Sequence, residues 1–234
     1  RSTAETPTAF NKYVCFLANI KELKYIKKDH HFIHVGAMTT LEELMNSPVI
    51  PSIFKQVIHD IAAPGIRHTA TLAGNIGNAS PAGDTLPYLY AIQAFLCIES
   101  IHEKKMVPIQ EVILGPRKTI LKENELIKEI MIPIQEYSIE TWTKVGPRKA
   151  DTISKVSFIG MATIDQHIIK DFRIAFGAVD QKIVCSEELN QKMIGMTIDN
   201  HAYIDACMLY YEPLIRPIDD HRSTKVYRKS VAVN

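Results

Sequence analysis

Glycine and short polar side chains are concentrated in residues 71–87, TLAGNIGNASPAGDTLP, which contain three of the chain's 10 glycines. Glycines allow successive backbone N–H groups to converge on an anion, and Asn, Ser and Thr side chains bind phosphate or sugar oxygens. The acidic Asp84 suits the hydroxyl groups of a ribose better than a phosphate. The same residue types also build ordinary turns and helix caps. The stretch therefore predicts either a ligand-binding loop or a turn with a purely structural role.

The sequence contains no other evident site for cofactor or metal chemistry. It has neither a GxGxxG turn after the first predicted strand nor a GxxxxGK[ST] loop, so a nucleotide would need a different scaffold. Its histidines lack HExxH spacing, and its cysteines, Cys15, Cys97, Cys185 and Cys207, form no CxxC pair. Metal and iron–sulfur sites need closely spaced ligands. We therefore predict no metal site and four reduced thiols.

Composition and charge are those of an ordinary globular protein. Hydrophobic residues make up 46% of the chain and charged residues 23%, and the net charge is +1. This balance argues against a nucleic-acid partner, which requires a clustered excess of basic residues. No apolar run is long enough to span a membrane, and the first residues lack the apolar core of a secretion signal. We therefore expect a cytoplasmic protein with no membrane partner.

Local patterns predict the elements on either side of the polar stretch. IRHTA before it is typical of a strand, and YLYAIQAF after it is typical of a helix, with Asp84 as N-cap and Pro87 in the first turn. Upstream, Thr40 and Glu43 have the spacing of a capping box. Apolar spacing in residues 48–65 predicts a further helix, which the Pro-Gly pair at its end terminates.

The remaining patterns place strands and helices in separate groups. CFLANIKEL and HFIHVGAM are short β-type runs, LCIESI and MVPI predict a hairpin, and TILKENELIKEIMIP predicts a strand pair around its KEN turn. From about Ser138, three alternating runs with a turn at Asp165-Gln166 predict an antiparallel meander. Three helical segments follow, the first capped by Ser186. This grouping indicates an α+β fold, with a domain boundary near residues 134–138.

Five ordered motifs resemble those of the FAD-binding subunits of molybdenum hydroxylases, the xanthine dehydrogenase and carbon monoxide dehydrogenase flavoproteins. IRHTATLAGNIGNASPAGDTLP is similar to the family's second flavin motif, R-x-x-A-T-[IL]-G-G-N-I followed by S-P-x-x-D-x-x-P. FIHVGAMTTLEEL, GPRKTILKENELIKEIMIP, KVGPRKADTISKVS and RSTKVYRKSV resemble four further motifs of the family. Because the five matches keep their order and cover nearly the whole chain, the chain is identified as a member of this family.

The resemblance implies two domains. Residues 1–136 would form a vanillyl-alcohol-oxidase-type (PCMH-type) FAD-binding domain with an incomplete N-terminal lobe. Residues 137–234 would form a domain like the C-terminal domain of the carbon monoxide dehydrogenase flavoprotein, a three-stranded antiparallel sheet with a helical bundle. This division agrees with the change of pattern near residue 136.

The resemblance also implies FAD as the cofactor and assigns roles by position. Residues 71–75 would lie against the FAD phosphates, Asn78 and Asp84 would contact the phosphate or ribityl region, and Ile127 would cover one face of the isoalloxazine. The implied cofactor-binding set is Thr71, Leu72, Ala73, Gly74, Asn75, Asn78, Asp84, Ile127 and Lys144. Arg148 and Asp151 would lie near the open face of the flavin. On pattern alone, Ile127 would be strand core and Lys144 would belong to a solvated charge run.

Two departures from the family pattern bear on FAD binding. Ala73 replaces the first glycine of the family's G-G pair, and a positive φ at this residue would cost about 1 kcal/mol. The family's first flavin motif, a G-G-[TS]-[DE] loop, has no counterpart, because the chain contains no Gly-Gly pair. Either the chain has lost its start or it is a subunit that binds FAD poorly.

The resemblance implies an electron-transfer function. FAD would receive electrons from [2Fe–2S] clusters on a small subunit and pass them to NAD⁺, and molybdopterin would lie on a large subunit. The cofactor carries the redox chemistry, so no side chain is predicted to be a catalytic acid or base. The alternatives are a flavin-free structural or assembly subunit of the same fold, and a free-standing flavin oxidase. The oxidase would need acid and base residues that the sequence does not show.

Overall fold

Antiparallel strands form the framework of the first half of the chain in the computed structural model, which describes residues 15–234. The strands, in chain order, are β1 (Ile26–Lys28), β2 (Phe32–Gly36), β3 (Phe95–Glu99), β4 (Lys104–Pro108), β5 (Ile113–Gly115), β6 (Lys118–Thr119) and β7 (Leu126–Pro133). Five of them form one sheet in the order β1-β2-β7-β3-β4, and β5 pairs with β6 separately. Alternate side chains such as Val35, Leu96 and Ile130 turn inward and are fully buried, as the two-residue period of a strand requires.

Short helices accompany this sheet, and all of them except the third contribute buried side chains to one shared core. They are α1 (Leu41–Asn46), α2 (Ser52–His59), α3 (Pro64–Arg67), α4 (Leu72–Gly77), α5 (Thr85–Ala91) and α6 (Ile109–Val112). The capping box predicted at the start of α1 is confirmed, since Thr40 Oγ1 accepts from the Glu43 N–H at 3.2 Å and Glu43 Oε2 accepts from the Thr40 N–H at 3.0 Å.

A second antiparallel sheet follows, of β8 (Ile139–Val145), β9 (Val156–Asp165) and β10 (Ile168–Gly177), in the order β10-β9-β8. It confirms the predicted meander, although the turn residues are Gln166 and His167, with φ of 46° and 64°, one position later than expected. Three helices come next, α7 (Glu187–Met193), α8 (Ala202–Tyr211) and α9 (Lys225–Val233). Ser186 caps α7 as predicted, since its hydroxyl accepts from the Leu189 N–H at 3.3 Å.

Helix α5 lies where the two halves meet. Every one of its residues is buried, and it contacts β9 and β10 as well as α2 and α4. A helix that is buried all round is enclosed by protein on every side. Ile159, Met161 and Ala175 of the second sheet belong to the same hydrophobic core as the first sheet and its helices. The halves therefore share one core across α5.

The α+β fold class and the β3–β4 hairpin are confirmed, but three local predictions are wrong. IRHTA forms no strand: helix α3 includes its first two residues and ends at Arg67, whose buried guanidinium donates to the carbonyl oxygens of His59 and Ile61. These bonds satisfy carbonyl groups at and just after the C-terminal end of α2. That helix ends at His59, before the Pro-Gly pair that was predicted to terminate it. CFLANIKEL contains no strand, because Lys21–Leu23 form a 3₁₀ turn and β1 begins only at Ile26.

The predicted strand pair in TILKENELIKEIMIP is also wrong. Strand β7 forms, but it inserts between β2 and β3 instead of folding back on its own segment. Ile127, Ile130 and Ile132 are all buried there, which a central strand achieves and a surface hairpin would not. Thr119 pairs with Ile113 of β5.

No helix in the described part of the chain is long and apolar enough to cross a membrane. Among residues 15–234, no group of three His, Cys, Asp or Glu side chains is placed to hold a metal ion. The four cysteines are free, with Cys97 buried and Cys15 exposed.

Candidate functional site

The polar stretch 71–87 contains all of helix α4 and the start of α5, joined by residues 78–84. The expected strand and loop are therefore wrong, whereas the helix predicted after them is confirmed as α5. Thr71 caps α4, its hydroxyl accepting from the Gly74 N–H at 3.0 Å. The helix ends at Asn78, and Ala79 then takes a φ of +45° while fully buried. A buried alanine in the left-handed region is held there by its surroundings.

Helix α4 has one buried and one exposed face. Leu72, Ala73 and Ile76 face the core, whereas Gly74, Gly77 and Asn78 are exposed. A Cβ added at Gly77 would meet nothing within 4 Å, and one at Gly74 would meet only Thr71 Oγ1, at 3.1 Å. The backbone on this face is therefore open to close approach by a ligand. Ala73 is helical and not in the left-handed region, so the positive-φ strain considered for it is absent.

Asn75 ties the two helices together. Its Oδ1 accepts from the Thr85 hydroxyl at 2.7 Å, and a Cβ added at Gly83 would lie 3.2 Å from the same oxygen. The short polar side chain and the glycine therefore set the spacing between α4 and the turn before α5. The role of Asn75 in the described structure is to fix this geometry.

Asp84 does not cap α5, contrary to prediction. The third residue of that helix is Pro87, which has no N–H to donate, and the Leu86 N–H donates to the Gly83 carbonyl at 3.1 Å. The carboxylate instead lies 2.8 Å from Lys144 Nζ and accepts a hydrogen bond from the Ser154 hydroxyl. The side chains of Asp84 and Lys144 are each only 6% exposed.

This ion pair is the centre of a polar network between the halves of the chain. Lys144 Nζ also donates to the Asp60 carbonyl oxygen at 2.6 Å, and the Trp142 indole N–H donates to Asp60 Oδ2 at 2.9 Å. Burial raises the pKa of Asp84, and the Lys144 ammonium and Ser154 hydroxyl oppose that rise. The network joins the end of α2 and the start of α5 to β8 and the segment after it.

Ile127 lies apart from this network. It is buried in β7, opposite Ile98 of β3, and belongs to the shared hydrophobic core. Helix α4 packs against β7, so Ile127 is on the strand that supports the polar stretch. The site residues therefore form two groups. The α4 residues, which include Asn75, form one group, and Asp84 with Lys144 forms the other. Strand β7 packs against α4.

The sequence did not predict the residues that hold the segment before α5 in place. Arg228 of α9 donates to the Ala178 carbonyl at 3.0 Å, and the Ala178 N–H donates to the Pro81 carbonyl at 2.8 Å. Ala178 has a φ of +63° and is buried. Arg228 and Ser154 both lie in quoted family motifs, but nothing in the sequence pattern showed that they reach residues 81–84.

The first part of the loop after β8, residues 147–151, is charged and exposed. Arg148 is exposed, and its guanidinium donates to the carbonyl oxygens of Ala150 and Asp151 within the loop. Asp151 has a φ of +47°. With Ala62, His221 and Arg222, the loop borders a cavity of about 550 Å³.

Family models and relatives agree on the class of protein that this fold and site define. Residues 4–135 match the FAD binding domain in molybdopterin dehydrogenase, and residues 142–234 match the CO dehydrogenase flavoprotein C-terminal domain. The chain belongs to this family of FAD-binding domains of molybdopterin dehydrogenases, of the medium-subunit type. It is therefore part of an oxidoreductase, and FAD is its cofactor, as the sequence motifs indicated.

Two curated relatives and one solved structure show how similar the chain is to known members of this family. The carbon monoxide dehydrogenase medium chain of Hydrogenophaga pseudoflava is 30% identical over 216 residues, which are 91% of this chain and 75% of that one. The glyceraldehyde dehydrogenase medium chain of Sulfolobus acidocaldarius is 25% identical over 222 residues, 94% of this chain and 78% of that one. The solved Cu,Mo-CO dehydrogenase structure matches with a TM-score of 0.86 at 23% identity, covering 93% of this chain and 77% of that one.

The donor set of the site fits FAD. The Thr71 hydroxyl accepts from Gly74 and keeps its own proton to donate to a phosphate. Lys144 uses two of its three N–H donors, on Asp60 and Asp84, and each Asp84 oxygen keeps a lone pair for a polyol hydroxyl. The exposed glycines of α4 leave room for a pyrophosphate against the backbone. The chemistry of these residues is therefore compatible with a phosphate and a polyol.

Proposed function

We propose that this chain is the electron-transfer subunit of a molybdenum hydroxylase. FAD, when bound, supplies the redox chemistry, taking electrons from [2Fe–2S] clusters of a small subunit and giving them to NAD⁺. A large subunit carries the molybdopterin. We place the complex in the cytoplasm, where the four free cysteines stay reduced. The similarity to the medium chains of carbon monoxide and glyceraldehyde dehydrogenases supports this proposal.

We assign the cofactor contacts to the residues implied by the family motifs. The α4 residues from Thr71 to Asn75, with Asn78, hold the phosphates, Asp84 and Lys144 bind the ribityl region, and Ile127 supports the isoalloxazine from β7. The exposed glycine face of α4 carries this assignment, because Gly74 and Gly77 are exposed, whereas Gly83, the third glycine of the stretch, is buried and crowded. Asp84 and Lys144 orient the cofactor through their remaining acceptors and donor.

The domain division of residues 1–136 and 137–234 is part of the proposal. The ranges of the two family matches, and the segment between the end of β7 at Pro133 and the start of β8 at Ile139, support it. The shared core and the Asp60–Lys144–Asp84 network hold the two domains together.

The proposal is tested by titrating the purified chain with FAD and following flavin fluorescence and the visible spectrum. The key variant is Gly77→Phe, because Gly77 is exposed and a Cβ added there would meet nothing within 4 Å. We expect it to keep the melting temperature of the wild type and to weaken FAD binding by about tenfold or more. Gly65→Phe is the matched control, since Gly65 is also exposed with nothing within 4 Å but lies in α3.

The outcomes separate the candidate functions. Wild-type protein that binds no FAD would contradict the proposal and favour the flavin-free structural subunit. Equal FAD affinity in Gly77→Phe and the wild type would contradict the assignment to α4. Anaerobic bleaching of bound FAD by NADH would support NAD⁺ as acceptor. Co-purification with a molybdenum subunit and an iron–sulfur subunit would support the complex over a free-standing oxidase.

A further inference from the structure

One buried polar side chain at the site has no assigned role. Ser154 lies between β8 and β9 and is 1% exposed. Its hydroxyl donates to Asp84 Oδ1, while Lys144 Nζ lies 2.8 Å from Asp84 Oδ2. Both oxygens of the carboxylate are therefore held by donors from the second half of the chain.

The helix that follows Asp84 does nothing to hold the carboxylate. Pro87 offers no N–H, and the Leu86 N–H is already bonded to Gly83. Within residues 15–234, Ser154 and Lys144 are the only side chains that hydrogen-bond to Asp84. Lys144 Nζ holds one carboxylate oxygen, Oδ2, and is itself anchored by the Asp60 carbonyl oxygen. The Ser154 hydroxyl holds the other oxygen, Oδ1, so the two contacts together fix the rotation of the carboxylate.

We propose that Ser154 is a positioning residue for FAD, setting the orientation in which the Asp84–Lys144 pair meets the ribityl chain. The inference rests on the proposed function, because it requires Asp84 and Lys144 to contact the cofactor. Ser154 acts through Asp84 and is assigned no contact with FAD. Its hydroxyl also favours the charged form of Asp84, since a hydrogen bond to a carboxylate stabilises the anion.

Ser157 provides a matched control three residues further along the chain. It is also 1% exposed, and its Oγ has no hydrogen-bond partner among the described residues. Ser157→Ala therefore removes the same atom from a buried site without removing a bond to Asp84. The charged groups that face Asp84 are Lys144 on β8 and Asp60 after α2, and both are unchanged in either variant.

The experiment measures the FAD Kd of the full chain by flavin fluorescence over a series of pH values. We expect Ser157→Ala to match the wild type. Ser154→Ala should weaken binding by about tenfold and move the acid limb of the Kd profile to higher pH, because Asp84 loses a bond that stabilises its charge. A purely structural role would lower the melting temperature without moving the acid limb.

A folded Ser154→Ala variant with the wild-type Kd and acid limb would overturn the inference. If that variant does not fold, Ser154→Cys replaces it, because a thiol fills nearly the same volume but is a weaker donor. It should weaken binding and move the acid limb in the same direction, and an unchanged profile would overturn the inference. Wild-type protein that binds no FAD would instead mean that the proposed function has failed.

Discussion

Lys144 balances a carboxylate that has almost no contact with water. The side chains of Lys144 and Asp84 are both 6% exposed. Buried ion pairs add little net stability, because the cost of desolvating two charges offsets much of their attraction. Removing one partner is different, since it leaves an uncompensated charge in the interior. The pair therefore adds little net stability, but it couples the two halves of the chain, because each half supplies the charge that compensates the other.

Lys144→Met removes the charge while keeping most of the side-chain volume. We expect the free energy of unfolding to fall by about 3–5 kcal/mol, measured by urea denaturation. Lys192→Met is the control, because Lys192 pairs with Glu188 on the exposed surface of α7, and its loss should be less than about 1 kcal/mol. The double variant Asp84→Asn/Lys144→Met should recover part of the loss. Equal losses in the two lysine variants would contradict this account.

A second residue-scale prediction concerns His34, which lies on β2 between two carboxylates. Its Nε2 is 2.9 Å from Asp29 Oδ2 and its Nδ1 is 3.2 Å from Glu129 Oε1. Burial disfavours the charged ring, but the hydrogen bonds to Asp29 and Glu129 outweigh it and raise the pKa of His34 above its ordinary 6.5. The folded state therefore binds this proton more tightly than the unfolded state does.

The stabilisation by His34 is complete below pH 6.5 and is lost as the pH rises through the raised pKa. We expect His34→Gln to destabilise the protein more below pH 6.5 than well above the raised value, as measured by urea unfolding at both pH values. His59→Gln is the control, because His59 is largely exposed. A His34→Gln effect that is independent of pH would show that the ring is not protonated.

At the scale of elements, the end of β10 passes tightly over β9 and α5. A Cβ added at Gly177 would collide with Ser157 Oγ and would lie 3.1 Å from Pro87 Cγ. We expect Gly177→Ala to lower the free energy of unfolding by about 1–3 kcal/mol, because neither neighbour has space to move. Adding Ser157→Ala should recover much of this loss. The measurement is urea denaturation of the single and double variants, and a neutral Gly177→Ala would refute the predicted clash.

Elements with local signals were predictable from sequence. The capping box of α1, the Ser186 cap of α7 and the alternation in β8–β10 all depend on residues a few positions apart. Strand β7 was mispaired because both of its partners lie outside its own segment. Its pairs with β2 are 93–101 positions apart and those with β3 are 27–36 positions apart, and no turn signal encodes that choice. The end of α2 was missed because a buried arginine from α3 closes it.

The candidate site also divides into features that the sequence predicted and features that depend on distant residues. The family motifs selected Thr71, Asp84 and Lys144, but the helical form of residues 72–77 was missed because the two glycines and one asparagine among these six residues disfavour a helix. Tertiary packing of Leu72 and Ile76 overrides that preference. The Asp84–Lys144 bond joins positions 60 residues apart, so local patterns could not show it.

At the scale of the whole molecule, Trp142 reports on the contact between the halves. It is the chain's one tryptophan, and its indole lies on β8 while its partner Asp60 follows α2. Because side chains of both sheets share one core, we expect a single urea transition in which tryptophan fluorescence and far-UV circular dichroism coincide. A fluorescence midpoint at lower urea concentration would mean that the halves separate before either unfolds.

The Asp84–Lys144 bond also has a consequence for the order in which the protein is made. Lys144 is 60 residues after Asp84, so at about 5–20 residues per second it is synthesised about 3–12 s later. Arg228, which holds Ala178 against the turn at Pro81, is made later still. A nascent chain therefore carries residues 71–87 without the cation and the arginine that fix them. On the proposed assignment of the FAD site, we therefore expect the cofactor to bind only after α9 has been synthesised.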